Sequence, residues 1–233
     1  MEKPSAAFKG FKMKLNLHIL AHRGYWLNAS EKNSFTALER AFKSGFGIET
    51  DLRDHDGDII ISHDMPQNNE ELITFDTLLE LYKPFKNNTN LALNIKADGL
   101  QQHVRKALKN HNISLENIFF FDMSVPDALG YIRGSMPCFT RYSEYENTPS
   151  FLSKAKGVWV DAFLSEEGQL EAALQFLKNG LDIALVSPEL HKREHLSIWE
   201  SWKKSLQNIA TANQTIYLCT DYPEDAKVFF NDE

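Results

Sequence analysis

The sequence predicts a single-domain α/β protein, a (β/α)8 TIM barrel without a sizeable cap insertion. Three observations lead there. Short apolar runs of strand length recur, most are followed by a segment of helical period, and no repeat, low-complexity block or Pro/Gly-rich linker separates them. About eight such units within 233 residues match a barrel, which typically takes roughly 250. A doubly wound open sheet is the competing architecture for the same alternation.

Residues 1–14 carry Lys3, Lys9, Lys12 and Lys14 without an apolar run or a small-residue cleavage site, so they read as an N-terminal lead-in rather than a signal peptide. The barrel is expected over 15–233, with strands at 15–20, 46–52, 91–95, 118–121, 138–140, 158–160, 183–186 and 216–218. Several are apolar almost throughout, as parallel strands covered on both faces must be. Phe35, Leu38, Ala41 and Phe42 mark one helix face, capped by Asn33 or Ser34 and stopped by Gly45. A helix is expected at 74–85, and Val104, Ala107 and Leu108 mark another. Leu170, Ala173, Leu174 and Leu177 fall at i, i+3, i+4 and i+7 before Gly180, and Pro223 opens the last helix. The fifth unit, near 137–149, lacks a long helix.

Lys and Arg number 25 against 32 Asp and Glu, for a formal charge of −7, which argues against a protein that grips nucleic-acid backbone. No stretch reaches the roughly 18 apolar residues of a membrane span. Cys138 and Cys219 stand far apart in apolar runs and read as buried free thiols, which points to the cytoplasm. No oligomeric state follows from the sequence.

In such barrels chemistry sits at the C-terminal ends of the strands. Here those ends read His22-Arg23-Gly24, Glu49-Thr50-Asp51, Asn94-Ile95-Lys96, Asp122, Arg141, Asp161, Ser187 and Thr220-Asp221. Glu49 and Asp51, two apart on a strand, project from one face, where paired carboxylates suit a shared cation or catalysis; hydrated acids at a strand end are the plain alternative. His22 ends the first strand, and His63 shares a strand face with Ile59 and Ile61; two histidines can supply one base and one acid near neutral pH. Arg23 can fork onto phosphate oxygens and Lys96 can add a point charge. Trp26 is placed to line the mouth, Trp199 and Trp202 read as packing, and the charged run 189–193 reads first as a solvated loop.

His22-Arg23-Gly24, Glu31-Lys32-Asn33-Ser34, Glu49-Thr50-Asp51, Asp56-Gly57 and Ser62-His63-Asp64, in that order, resemble the opening of the glycerophosphodiester phosphodiesterases. The match is strong over about 19–64 and looser at Lys96 and at Thr220-Asp221-Tyr222-Pro223. The resemblance implies a (β/α)8 barrel that hydrolyses small phosphodiesters with a divalent cation, Mg²⁺ or Ca²⁺. It places the two catalytic histidines on His22 and His63, metal-binding carboxylates on Glu49 and Asp51, the phosphate-binding arginine on Arg23 and the charge-stabilising lysine on Lys96. Spider-venom sphingomyelinases D and phosphatidylinositol-specific phospholipases C are similar in architecture.

Two departures from that pattern stand out. Asn94 occupies the place of a usual glutamate, so weaker metal binding is expected, or a further ligand such as Asp122. Only 65–73 separates the His63-Asp64 motif from the next helix, where typical members insert a cap, so a more open mouth is expected. The expected reaction is metal-assisted diester cleavage, giving a cyclic product if the attacker is the substrate's own hydroxyl. A non-catalytic phosphate-binding barrel is the alternative that Asn94 raises. A glycosidase fits poorly, because its two acids must flank the cleaved bond rather than sit two residues apart on one strand.

Overall fold

The apolar runs become parallel strands because each buries both faces, one against the barrel interior and one against covering helices. A computed structural model of the chain describes residues 17–67, 72–207 and 214–231. The lead-in expected at 1–14 and the first two residues of the expected strand 15–20 lie outside the described residues. Chain order is β1 (Leu17–His22), α1 (Phe35–Lys43), β2 (Gly47–His55), β3 (Asp58–Ile61), β4 (Ile73–Thr74), α2 (Phe75–Tyr82), β5 (Leu91–Ile95), α3 (Gln101–Asn110), β6 (Ile118–Phe121) and α4 (Val125–Arg133). Then come β7 (Phe139–Tyr142), β8 (Gly157–Val160), α5 (Gln169–Lys178), β9 (Asp182–Val186), α6 (Leu196–Leu206), β10 (Ile216–Thr220) and α7 (Pro223–Asn231).

Eight of these strands form the barrel, in the spatial order β1, β2, β5, β6, β7, β8, β9, β10, and β10 pairs back onto β1 with Leu20 beside Cys219. All these pairings are parallel. The weakest seam lies between β6 and β7, which share one isolated bridge, Phe120 with Cys138, supported by Phe120 N donating to Pro137 O at 2.9 Å. Beyond its barrel portion β2 runs on into an antiparallel ribbon with β3 and β4. β3 stops at Ile61, so His63 stands in the turn beyond it rather than on the strand face expected from the sequence.

Inward positions alternate along each strand. Leu20, Ala92, Phe119, Phe121, Phe139, Trp159, Ala184, Val186, Tyr217 and Cys219 fill the interior. Phe119 stacks on Phe139 and Phe121 on Trp159, both with centroids 3.9 Å apart, and such pairs contribute about 0.5–1.5 kcal/mol beyond area burial. Outside the barrel two separate apolar layers hold the helices. One packs α1 to α4 against β1, β2, β5 and β6, and the other packs α5, α6 and α7 against β8, β9 and β10, with Trp199 and Trp202 fully in that core.

The helices start where small polar residues accept orphan N–H groups. Ser34, rather than Asn33, caps α1 by accepting from Ala37 N, Thr74 caps α2 and Ser124 caps α4. No helix follows β7; instead Glu144 in that loop accepts the backbone N–H groups of Phe163, Leu164 and Ser165, tying it to the segment after β8. Among the described residues no helix is long and apolar enough to cross a membrane, and both cysteines are free and buried.

Candidate active site

The inward alternation that fills the interior with apolar residues turns polar at the C-terminal rim. There His22, Arg23, Glu49, His63, Asn94, Lys96, Asp122, Asp161 and His191 line one cavity of about 250 Å³, floored by Phe121 and Trp159. Asp51 is fully buried behind two of these residues, 3.4 Å from Arg23 Nε and from Lys96 Nζ. Of the candidate catalytic, phosphate-binding and metal-binding residues, all but Asp51 line this cavity. Trp26 is not among the lining residues; its indole donates to His22 O at 3.1 Å and lies under Lys32 Nζ.

The His22-Arg23-Gly24 turn is built to present an imidazole and a guanidinium side by side. Arg23 takes a left-handed conformation (φ 58°), with its N–H donating to Glu49 O at 2.8 Å and its carbonyl accepting from Asn33 N at 2.8 Å. Gly24 follows at φ 88°, packed so closely on α1 that a Cβ there would stand 2.8 Å from the Ala37 carbonyl carbon. Only glycine meets both demands.

The segment after the turn has one task per residue. Glu31 accepts from Leu27 N and Arg40 Nη1, both at 2.9 Å, Lys32 Nζ reaches Asp221 Oδ2 at 3.3 Å, and Ser34 caps α1. Asn33 donates to Asp51 Oδ2 at 3.0 Å while its own carbonyl accepts from Thr50 Oγ1 at 2.8 Å, which fixes the amide's orientation.

His22 Nδ1 lies 2.6 Å from Asp221 Oδ1, and His22 Nε2 faces Glu49 Oε2 at 3.9 Å. Burial lowers the His22 pKa below its ordinary value, against the pull of Asp221. Burial would raise Asp221, but the hydrogen bond and charge of His22, with Lys32, outweigh it and hold Asp221 below the usual carboxylate range. An ionised carboxylate only accepts, so the ring proton sits on Nδ1 and the Nε2 lone pair is free. His63 is more open, 40% exposed at its side chain, with Nδ1 3.0 Å from Asp64 Oδ1.

Asp51 holds the two cations in place: Arg23 Nε and Lys96 Nζ each stand 3.4 Å from one of its oxygens. Glu49 is different. Burial, then the neighbouring Asp51 charge, push its carboxyl up to about 8, while Arg23, Lys96 and the Asn94 hydrogen bond pull the other way. Glu49 Oε2, Asp51 Oδ1 and Asn94 Oδ1 are all buried and make no hydrogen bond, Asp51 Oδ1 having only the Lys96 ion pair. Among the described residues no three His, Cys, Asp or Glu side chains form a metal-holding group; here the third oxygen is an amide. Three such oxygens suit a hard divalent cation. Asp122, in a left-handed conformation (φ 65°), is drawn instead to Arg141 Nη1 at 3.2 Å, and burial raises its pKa.

Three contributors are not singled out by the sequence: Asp221 and Arg141 read only as polar strand ends, and His191 reads as part of a solvated loop. His191 Nε2 lies 2.8 Å from Asp161 Oδ1, and Asp221 holds His22 across 199 residues of chain. Asp221 and Arg141 carry the signal of a polar strand end, but which ends face each other is set only by closure of the barrel.

No protein-family model matches this chain, and no curated protein matches it in sequence. Its fold matches solved structures closely. A phosphodiesterase from Oleispira antarctica, solved with the product sn-glycerol-3-phosphate, superposes with a TM-score of 0.64 at 14% identity, covering 92% of this chain and 97% of the other. A glycerophosphodiester phosphodiesterase from Agrobacterium tumefaciens gives 0.63 at 16% identity over 92% and 98%. A glycerophosphoryl diester phosphodiesterase from Parabacteroides distasonis gives 0.64 at 13% over 94% and 87%. At such identities the likeness establishes the fold, a (β/α)8 barrel.

Proposed function

We propose that this chain is a phosphoric diester hydrolase that cleaves a glycerophosphodiester or a related small phosphodiester, with His22 and His63 as the acid–base pair and a divalent cation, Mg²⁺ or Ca²⁺, as cofactor. The observation that carries the reading is the convergence of two histidines, two cations and a carboxylate pair on one small cavity, in a fold shared with phosphodiesterases.

Glu49, Asp51 and Asn94 would hold the cation; Asp122, committed to Arg141, is left out of the set. When bound, the cation supplies Lewis-acid polarisation of a phosphoryl oxygen. Arg23 and Lys96, held by Asp51, bind the phosphate and offset the negative charge that spreads over it in the transition state. His22 Nε2 takes a proton from the attacking water, and Asp221 stabilises the imidazolium that forms. Protonated His63 gives its proton to the departing alkoxide, so an alcohol leaves and a phosphomonoester remains. The neutral state that burial favours for His22 is the one a base needs.

Two free buried thiols support a cytoplasmic setting, and the acidic balance supports a small-molecule substrate over nucleic acid. The test is turnover of a panel of phosphodiesters with Mg²⁺ or Ca²⁺, and again with chelator. Turnover that survives chelation overturns the role of Glu49, Asp51 and Asn94. Binding of phosphate esters without turnover of any diester would favour the phosphate-binding barrel.

A further inference from the structure

The far wall of the mouth carries a further histidine–carboxylate pair, one that the proposed chemistry does not use. Around the ring, β8 lies four strands from β2 in either direction, so Asp161 at the end of β8 stands diametrically across from Glu49 and Asp51. His191 comes from the short turn after β9, and both side chains line the same cavity as His22, Arg23 and Lys96.

This turn is not a loose loop. Upstream of His191, Glu189 Oε1 accepts from Thr220 Oγ1 at 2.5 Å and from Asp221 N at 3.1 Å, and Glu189 Oε2 pairs with Ser187. Downstream, Arg193 binds Glu166 Oε1 at 2.5 Å and donates to the carbonyls of Phe163 and Ala162. The His191 ring also packs edge-on against Phe163, centroids 5.3 Å apart. Anchored on both sides, the imidazole has a fixed position.

Asp161 Oδ1 accepts from both His191 Nε2 and Ala162 N at 2.8 Å. The carboxylate therefore places the ring proton on Nε2 and leaves Nδ1 as an acceptor. Among the described residues nothing hydrogen-bonds to His191 Nδ1 or to Asp161 Oδ2. Two residues that line this cavity thus each keep an acceptor without a partner, and Arg23 and Lys96 line the same cavity. Arg141, next to them on the wall, is already engaged by Asp122 and Glu146.

We propose that the His191–Asp161 pair is the specificity-determining subsite for the alcohol arm of the substrate, reading its hydroxyl groups as hydrogen-bond donors. It rests on the reading of the mouth as a phosphate-ester site. A phosphate held between Arg23 and Lys96 directs one ester arm across the mouth, where O–H groups satisfy both acceptors. A plain alkyl arm would desolvate them and leave them unpaired, which is why such sites discriminate strongly.

The test is calorimetric binding of glycerol 3-phosphate and of propyl phosphate, which has the same carbon skeleton without the hydroxyls, to the metal-loaded full chain. The wild type is expected to favour glycerol 3-phosphate by about tenfold or more, one to two hydrogen bonds' worth. His191→Phe and Asp161→Ala, each checked for folding by circular dichroism, are expected to bring that ratio close to one. His191→Asn, which keeps a polar atom near the Nδ1 position, is expected to restore part of it. No preference in the wild type, an unchanged ratio in the variants, or failure to bind either ester would overturn the proposal. Because binding is read without turnover, the two readings fail separately: a hydroxyl-selective chain that cleaves no diester sinks the hydrolase, and an active chain without selectivity sinks the subsite.

Discussion

His22 Nδ1 and Asp221 Oδ1 lie 2.6 Å apart across the closure of the barrel, joining the first strand to the last. Burial depresses the imidazole pKa and Asp221 opposes that depression. Removing the carboxylate in Asp221→Ala should let the His22 pKa fall further and free the ring to turn. The acid limb of kcat/KM is then expected at lower pH, with the plateau reduced by at least about 10²-fold. A pH–rate profile identical to the parent's would show that Asp221 does not act on His22.

Glu49 links pH to stability. Its folded carboxyl titrates near 8 against an ordinary 4.5, so between those values the folded state holds more protons than the unfolded one. Stability of the metal-free protein therefore falls as pH rises through that window. Glu49→Gln removes the penalty. Its Tm should exceed the parent's at pH 8 and approach it at pH 4, and addition of Mg²⁺ or Ca²⁺ should raise the parent's Tm more than the variant's. An equal gain at both pH values would contradict the buried titration.

Asp51 is the anchor of Arg23 and Lys96, the two cations proposed to bind phosphate. Asp51→Ala leaves Arg23 and Lys96 facing each other without a counter-charge, and should cost about 3 kcal/mol in denaturant unfolding. It should also cost more activity than loss of either cation alone. A variant as stable and active as the parent would mean that the two pairs contribute nothing.

Asn94→Glu adds an acid beside Glu49, whose Oε1 now accepts from Asn94 Nδ2 at 3.3 Å. Affinity for the divalent cation should rise roughly tenfold or more, while the metal-free Tm should fall because a further carboxyl is buried next to two others. Calorimetric titration and thermal melts read the two effects independently.

Gly24 carries a backbone requirement rather than chemistry. Gly24→Ala places a Cβ 2.8 Å from the Ala37 carbonyl carbon at φ 88°, and should destabilise by about 2 kcal/mol. It should also weaken phosphate-ester binding, since the same turn sets Arg23. Unchanged unfolding would show that the turn relaxes freely.

Local signals in the sequence carried most of the fold and half of the site. Apolar runs such as 118–121 marked strands because both faces are buried, and Ser34 and Gly45 punctuated α1 through their own conformational preferences. The Glu49/Asp51 pair was legible because side chains two apart on a strand must share a face. His63 was placed on a strand it does not occupy, since the run Ile59–Ile60–Ile61 hides where pairing with β2 ends. Asp221 and His191 were illegible for another reason: their partners, His22 and Asp161, are brought to them only by barrel closure, which no local pattern encodes.

The thin seam between β6 and β7 gives the barrel a preferred place to breathe. One outer apolar layer ends at Cys138 and the buried residues of the other begin only at Val158, and one bridge joins β6 to β7. In hydrogen exchange the amides of Phe119, Phe120 and Thr140 should open together before those of β1 and β10, which are locked by a full ladder. Since Asp122 and Arg141 ride on those two strands, a transient opening there loosens one rim of the mouth while leaving His22, Glu49 and Asp51 on the rigid side.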